Sequence, residues 1–284
     1  MEIRQDNANN LNFLGIHDPF RLKNMGHALK RIIKAVNERE KIVLYGNCDL
    51  DGVTAVSLLF LVLKYLNADV EYLISDDIND KLNINSGLIK NHIKFLGAKL
   101  IITTGCGSQS VSQVELCKKL GMDIIVTDYH KCNNVISEAV VINPNQKGCN
   151  YAFKELTAVG VAFKLSQAIS MYYEMKSISK YLDLVVLGTL SKEIKITGEN
   201  KEMVDQGIYH LTYTNNYGFK ALLKVYGIKT INRESIFKLS MNMTPSSVSN
   251  RYIDNSRIAV ELFTTENMDR AVQIAKYLKN EIVE

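Results

Sequence analysis

The stretch Lys41–Leu66, KIVLYGNCDLDGVTAVSLLFLVLKYL, decides the fold. Ile42, Val43, Leu44 and Tyr45 form a short apolar run rich in β-branched residues and closed by Gly46, the pattern of a buried strand. Beyond Gly52 the apolar positions Val53, Val56, Leu59, Phe60, Val62, Leu63 and Leu66 are nearly continuous, which predicts a well-buried helix. Between strand and helix lie Asn47, Cys48, Asp49, Leu50 and Asp51. Carboxylates at the carboxyl end of a parallel strand stand where open α/β sheets place their ligands. A D-x-D pair supplies two hard oxygens to a divalent cation. An Asp at this point equally suits a cap for the following helix, and by itself the pair leaves the two readings level.

Outward from this unit the pattern repeats. Val70–Ile74, Leu100–Thr104, Met122–Thr127 and Ala139–Ile142 read as four more strands. Ser86 is expected to cap a helix, and Val111–Leu120 to form another. Asp18-Pro19 reads as a helix start, with Leu22, Met25, Leu29, Ile32 and Val36 at helical spacing behind it. Strands alternating with helices imply an α/β fold with a doubly wound, mostly parallel five-stranded sheet flanked by helices. From Glu155 the chain turns helical: Leu156–Tyr173, Lys180–Leu190, then shorter helices near 200–213, 216–226, 233–240, 256–263 and 266–282. The domain reading is a lead-in at 1–17, an α/β domain at 18–195 and a helical extension at 196–284.

Composition bounds the function classes. The 284 residues carry 34 basic and 30 acidic side chains, a net charge of +4 that is too mild to argue for nucleic acid by itself. The five cysteines (48, 106, 117, 132 and 149) have no C-x-x-C spacing, and the start MEIRQDNANN is polar, so reduced thiols and a cytoplasmic location are expected. The longest apolar run is too short for a bilayer, and no membrane association is expected.

Several further segments carry a resemblance. YGNCDLDGVTA, LIITTGCGS, VTDYH, VINPNQKGCNYAFKELTAVGVAFKLSQAI and YLDLVVLGTLSKEIKITGENKEMVDQGI, in this order, are similar to the motifs of the DHH phosphoesterase superfamily, and within it of the RecJ single-strand-specific exonucleases. The resemblance runs from about Asp18 to the C-terminus. It implies two divalent metals, manganese or magnesium, held by aspartates and a histidine. Asp49 and Asp51 match the aspartates of the first motif, while its earlier Asp is Asn47 here. The Asp expected to bridge the metals is Gly105. Asp128 and His130 remain of the third motif, with Tyr129 in place of its middle His. A further ligand Asp is Lys192. The phosphate-contacting run appears as PSSVSNRY, so Ser246, Val248 and Tyr252 replace two Arg and an Asn. The family continues into a second substrate-binding domain and an OB-type domain, and neither is expected within this sequence.

The losses are selective. Gly46, Gly52, Val53, Thr54, Gly107, Thr127, Gly160, Gly188 and Thr189, which shape the core, match the family pattern. The expected function is therefore a catalytically degenerate RecJ-like protein acting as a binding or regulatory subunit, with a protein partner and without a cofactor. The superfamily offers an analogy in a RecJ-like subunit of the eukaryotic replicative helicase. Two alternatives stand beside it. One is a phosphodiester hydrolase acting on single-stranded DNA or short oligonucleotides, with residual metal on Asp49, Asp51 and Asp128. The other is a remodelled site in which Cys48, Cys106 and His130 converge with the carboxylates, or Glu193 replaces a ligand by a one-residue shift. A nucleic-acid groove lined by Lys192, Arg251 and Arg257 is a weaker expectation, because no basic–aromatic interleaving accompanies it.

Overall fold

The computed structural model describes residues 15–75, 82–132, 136–243 and 252–283. Five strands, β1 (Ile42–Gly46), β2 (Val70–Ile74), β3 (Leu100–Thr104), β4 (Asp123–Thr127) and β5 (Val140–Ile142), form one sheet in the order β2-β1-β3-β4-β5. All neighbours are parallel, with Ile42 opposite both Val70 and Leu100, Leu100 opposite Asp123, and Ile125 opposite Val140. β1 and β3 are buried along their whole length, as apolar strands covered on both faces must be. Their chain-order reversal makes the crevice beyond the ends of β1 and β3 the switch point of the sheet.

Alternate residues of each strand serve opposite faces. Ile42, Leu44, Leu100, Ile102, Ile125 and Ile142 join one core with α1 (Met25–Asn37), α2 (Leu50–Tyr65) and α5 (Ala158–Tyr172). Val43, Tyr45, Ile101, Ile124 and Val126 join a second, smaller core with α3 (Ser86–Leu88), the π-turn Ile89–Ile93 and α4 (Val111–Lys119). The helical remainder comprises α6 (Leu182–Leu190), α7 (Gly198–Leu211), α8 (Tyr217–Val225), α9 (Arg233–Met243), α10 (Tyr252–Thr264) and α11 (Met268–Val283). Phe219, Leu239, Val260 and Leu278 from these helices belong to the same core as α2 and α5.

Three local expectations are corrected. The helix read from Asp18 is two pieces. Asp18 caps only a 3-10 turn at Pro19–Arg21, and α1 starts afresh after Asn24, whose φ of +68° breaks the path. Asn85, not Ser86, caps α3, its side chain accepting the N–H groups of Gly87 and Leu88. The helix read from Lys180 is a 3-10 turn at Ser179–Tyr181 that leads into α6.

The described end of the lead-in is docked. The backbone N–H of His17 donates to Glu199, and its carbonyl accepts from Lys164. Lys164 and Glu199 are buried and lie 2.5 Å apart, and the Tyr151 hydroxyl donates to both carboxylate oxygens. Burial of this hydroxyl beside an anion raises the Tyr151 pKa well above the phenol range.

Candidate functional site

Asp49 and Asp51 sit at the sheet's switch point but face different partners. Asp49 is the N-cap of α2, its Oδ1 accepting the Gly52 N–H at 2.8 Å. Gly52 is required here by space: a Cβ would lie 2.5 Å from the Asn47 carbonyl oxygen. Asp51, in the first turn of the same helix, is fully buried and points at the start of α5. Its Oδ2 accepts the N–H of Ala158 and its Oδ1 that of Val159, each at 2.9 Å. These are two of the donors that a helix N-terminus leaves free, and the positive end of the helix dipole favours a carboxylate there.

Lys192, in the turn after α6, reaches back into this corner. Its ammonium is 2.9 Å from Asp49 Oδ2 and 3.9 Å from Asp51 Oδ2. It also lies 5.6 Å from the ring centre of Tyr129, a cation–π distance. Burial alone would lower the Lys192 pKa, but the charges of Asp51 and Asp49 outweigh it and raise it, so the ammonium stays charged. Burial pushes the Asp51 carboxyl up to about 6, against the lowering effect of Lys192. Burial likewise pushes the Tyr129 hydroxyl up to about 12.

Gly105 follows β3 with φ +71°, a left-handed conformation. A Cβ at this position would meet the Ala158 Cβ at 2.8 Å. The N-terminus of α5 therefore fills the space where the resemblance places a bridging carboxylate. Asn47, the other substituted position nearby, donates its side-chain N–H to the Gly105 carbonyl at 3.2 Å.

Asp128, after β4, forms a separate hub. Its Oδ1 accepts the N–H groups of Tyr129 (2.8 Å) and His130 (3.2 Å) and lies 2.8 Å from His130 Nδ1. Its Oδ2 accepts the Ser108 N–H at 3.0 Å. The Tyr129 and His130 rings stack with centroids 4.2 Å apart. Asn143 and Asn145 then pin this loop through the carbonyls of His130 and Tyr129.

The structure thus brings Asp49, Asp51, Lys192 and Tyr129 together and sets the Asp128–His130 pair beside Tyr129. The expected convergence of Cys48, Cys106 and His130 is not formed. Cys48 is buried among Leu50, Val53, Met243 and Ala259 in the larger core. Cys106 is buried in the smaller core on the other face of the sheet. Pleat alternation alone would put both on one face, since Gly46 and Thr104 are register partners and each Cys follows by two residues, but Gly105 at φ +71° turns the chain off the strand path after β3. Glu193 is exposed and faces an open cleft beside Lys192, so no register shift carries it to the carboxylates. Among the described residues no group of three or more His, Cys, Asp and Glu side chains is arranged to hold a metal ion. Lys192 is engaged by the acids, and Arg257 is exposed on α10. Pro245, Ser246, Val248 and Arg251 lie outside the described residues, as does the Tyr252 side chain. Sequence reasoning missed the backbone N–H groups of Ala158 and Val159. Their only signal was Thr157, a cap residue whose hydroxyl accepts the Gly160 N–H.

The "DHH family, N-terminal domain" matches residues 41–189. The single-stranded-DNA-specific exonuclease RecJ of Bacillus subtilis (strain 168) is 34% identical over 262 residues, covering 91% of this chain and 32% of that protein. RecJ of Escherichia coli (strain K12) is 27% identical over 272 residues, covering 90% of this chain and 47% of that protein. A crystal structure of exonuclease RecJ bound to manganese superposes with a TM-score of 0.83 at 22% identity, covering 92% of this chain and 66% of that one. The chain spans 32% and 47% of the length of these two curated relatives. No helix among the described residues is long and apolar enough to cross a membrane.

Proposed function

The chain belongs to the DHH family and is RecJ-like, and from that premise we propose that it serves as a binding or regulatory module whose phosphoesterase centre is replaced by an internally neutralised polar cluster. One observation carries the reading: the Lys192 ammonium, 2.9 Å from Asp49 and 3.9 Å from Asp51. A pair of catalytic dications about 3.5–4 Å apart needs a shared carboxylate and a surplus of negative charge. Here a cation of the protein itself faces the two acids. Both oxygens of Asp51 receive backbone N–H groups. Gly105 offers no side-chain donor, and Ala158 closes the space above it. These donors do not fit two divalent cations. A partner protein, rather than a cleaved phosphodiester, is then the object that this chain binds.

The second reading is a metal-dependent phosphodiesterase of single-stranded DNA or short oligonucleotides. It draws on the three surviving carboxylates Asp49, Asp51 and Asp128 and on the likeness to relatives named as exonucleases. Manganese-dependent hydrolysis of single-stranded DNA, oligonucleotides and cyclic dinucleotides separates the two. The proposal expects no turnover above a metal-free control. Turnover that Asp49→Ala abolishes establishes the second reading. Affinity capture with the whole chain as bait, followed by mass spectrometry, then identifies the partner.

A further inference from the structure

The far end of α2 holds a feature that the DHH motifs do not use. α2 has 16 residues, so about 24 Å of helix separates its ends. Asp49 caps one end, and at the other a cavity of about 410 Å³ opens among α2, α6, α7, α8 and the end of α10. That size suits a small-molecule ligand.

Its lining also holds His210 and, at the exposed rim, Glu266, but three kinds of group give it its character. Tyr65, Tyr213 and Tyr217 are 55%, 71% and 37% exposed, an unusual concentration of accessible rings, and the buried Tyr181 adds a fourth. Lys64 and Lys180 stand on the wall, with the Lys180 ammonium 5.3 Å from the Tyr65 ring centre and 4.8 Å from that of Tyr181. Asp183 is 3% exposed. Its Oδ2 accepts the Thr214 hydroxyl at 2.8 Å and its Oδ1 the Leu184 N–H at 2.7 Å. Both donors are neutral, and each carboxylate oxygen keeps a further lone pair. Burial pushes this carboxyl up to about 7, against those hydrogen bonds and the charge of Lys180.

The combination selects among ligands. A purely apolar guest would cover a carboxylate without compensating it. A simple anion meets Asp183, and a simple cation meets Lys64 and Lys180. A ligand with an aromatic face, a paired N–H edge and an anionic tail satisfies all three. We infer that this cavity binds a guanine nucleotide, with the tyrosine rings stacking on the base, Asp183 accepting its adjacent N1–H and N2–H groups, and Lys64 and Lys180 meeting the phosphate. Guanine is the base whose two neighbouring N–H donors match the two oxygens of a carboxylate. Adenine and cytosine set an acceptor next to the amino group, and uracil flanks its N–H with carbonyls. A site built around a buried acceptor rejects such analogues strongly.

The nucleotide is either free or a unit of single-stranded nucleic acid, and one experiment distinguishes these sources. The whole chain is titrated calorimetrically at about pH 8, where the Asp183 carboxylate is ionised, without divalent metal, with GMP, AMP, UMP, oligo-dT and the same oligo-dT carrying one 3′ dG. Saturable GMP binding at least about tenfold tighter than AMP or UMP is expected. Tyr213→Ala and Lys64→Ala change exposed side chains, leave the fold intact, and should each weaken it about tenfold. Asp183→Asn should remove the preference for guanine. Tighter binding of the dG oligonucleotide than of GMP identifies the polymer as the source, and equal or weaker binding identifies the free nucleotide. Absence of saturable binding of both GMP and the dG oligonucleotide at millimolar concentration overturns the inference. So does GMP binding that is indifferent to Tyr213→Ala and Lys64→Ala. Metal plays no part in this readout, so its outcome is independent of the Asp49–Lys192 cluster.

Discussion

Gly105 and Ala158 approach so closely that a Cβ on the glycine would stand 2.8 Å from the Cβ of the alanine. The contact joins the end of β3 to the first turn of α5 and closes the space between Asp51 and the Asp128 loop. The glycine is also in the left-handed region at φ +71°. Gly105→Ala therefore meets both a steric and a conformational cost, and a loss of about 1–3 kcal/mol is expected in denaturant unfolding. Gly105→Asp restores the family's residue type but not the room for it, and manganese-dependent hydrolysis should stay absent in that variant. Unchanged stability in Gly105→Ala would show that α5 yields easily.

The buried Lys164–Glu199 pair makes a sharper stability test. Lys164→Met leaves the Glu199 carboxylate buried with only Tyr151 and the His17 N–H as donors. Breaking one partner of a buried pair costs about 3–5 kcal/mol. Chemical denaturation of the variant should show a loss of that order, and limited proteolysis should release the lead-in before His17. A loss below about 1 kcal/mol would mean that the pair is replaceable.

Two buried carboxyls set a pH dependence. Burial raises Asp51 to about 6 and Asp183 to about 7. Below about pH 3 both are protonated in the folded and unfolded chains alike, and no penalty arises. As pH rises the unfolded chain ionises first while the folded chain retains its protons. The stability held at low pH is lost as pH climbs through the raised values. Asp183→Asn should therefore flatten the fall in stability between pH 4 and 7 by at least about 1 kcal/mol relative to the parent chain. A parallel pair of pH–stability curves would contradict this.

The thiols are unequal. Cys48, Cys106, Cys117 and Cys149 are buried, and burial pushes the Cys117 thiol up to about 12. Cys132 is half-buried, with its thiol 2.8 Å from the Ser108 carbonyl. A disulfide reagent should label Cys132 first in the native protein and all five cysteines after denaturation. Native labelling of Cys48 or Cys106 ahead of Cys132, mapped by peptide mass, would revive a reactive site at the sheet edge.

The sheet was legible because a doubly covered parallel strand must be an apolar run, and each of the five runs became a strand of one parallel sheet. Helix starts were less legible. Asp18 and Ser86 looked like caps, but Asn24 and Asn85 decide those boundaries through backbone geometry and a two-residue hydrogen bond. At the site, residue types disclosed the surplus cation Lys192 and the absent carboxylate at Gly105. They could not disclose that backbone N–H groups of Ala158 and Val159 engage Asp51, because main-chain donors have no residue signature. Nor could spacing reveal that Cys48 and Cys106 fall on opposite faces of the sheet. Nothing in the sequence pattern singles out Asp183, and its burial beside Thr214 at a cavity shows only in the packing.

The most direct measurement is a calorimetric titration of the chelator-treated chain with manganese, paired with elemental analysis of the purified protein. With the Lys192 ammonium set against Asp49 and Asp51, no saturable micromolar site and no stoichiometric metal are expected. Two manganese ions per chain, both lost in Asp49→Ala, would contradict the account.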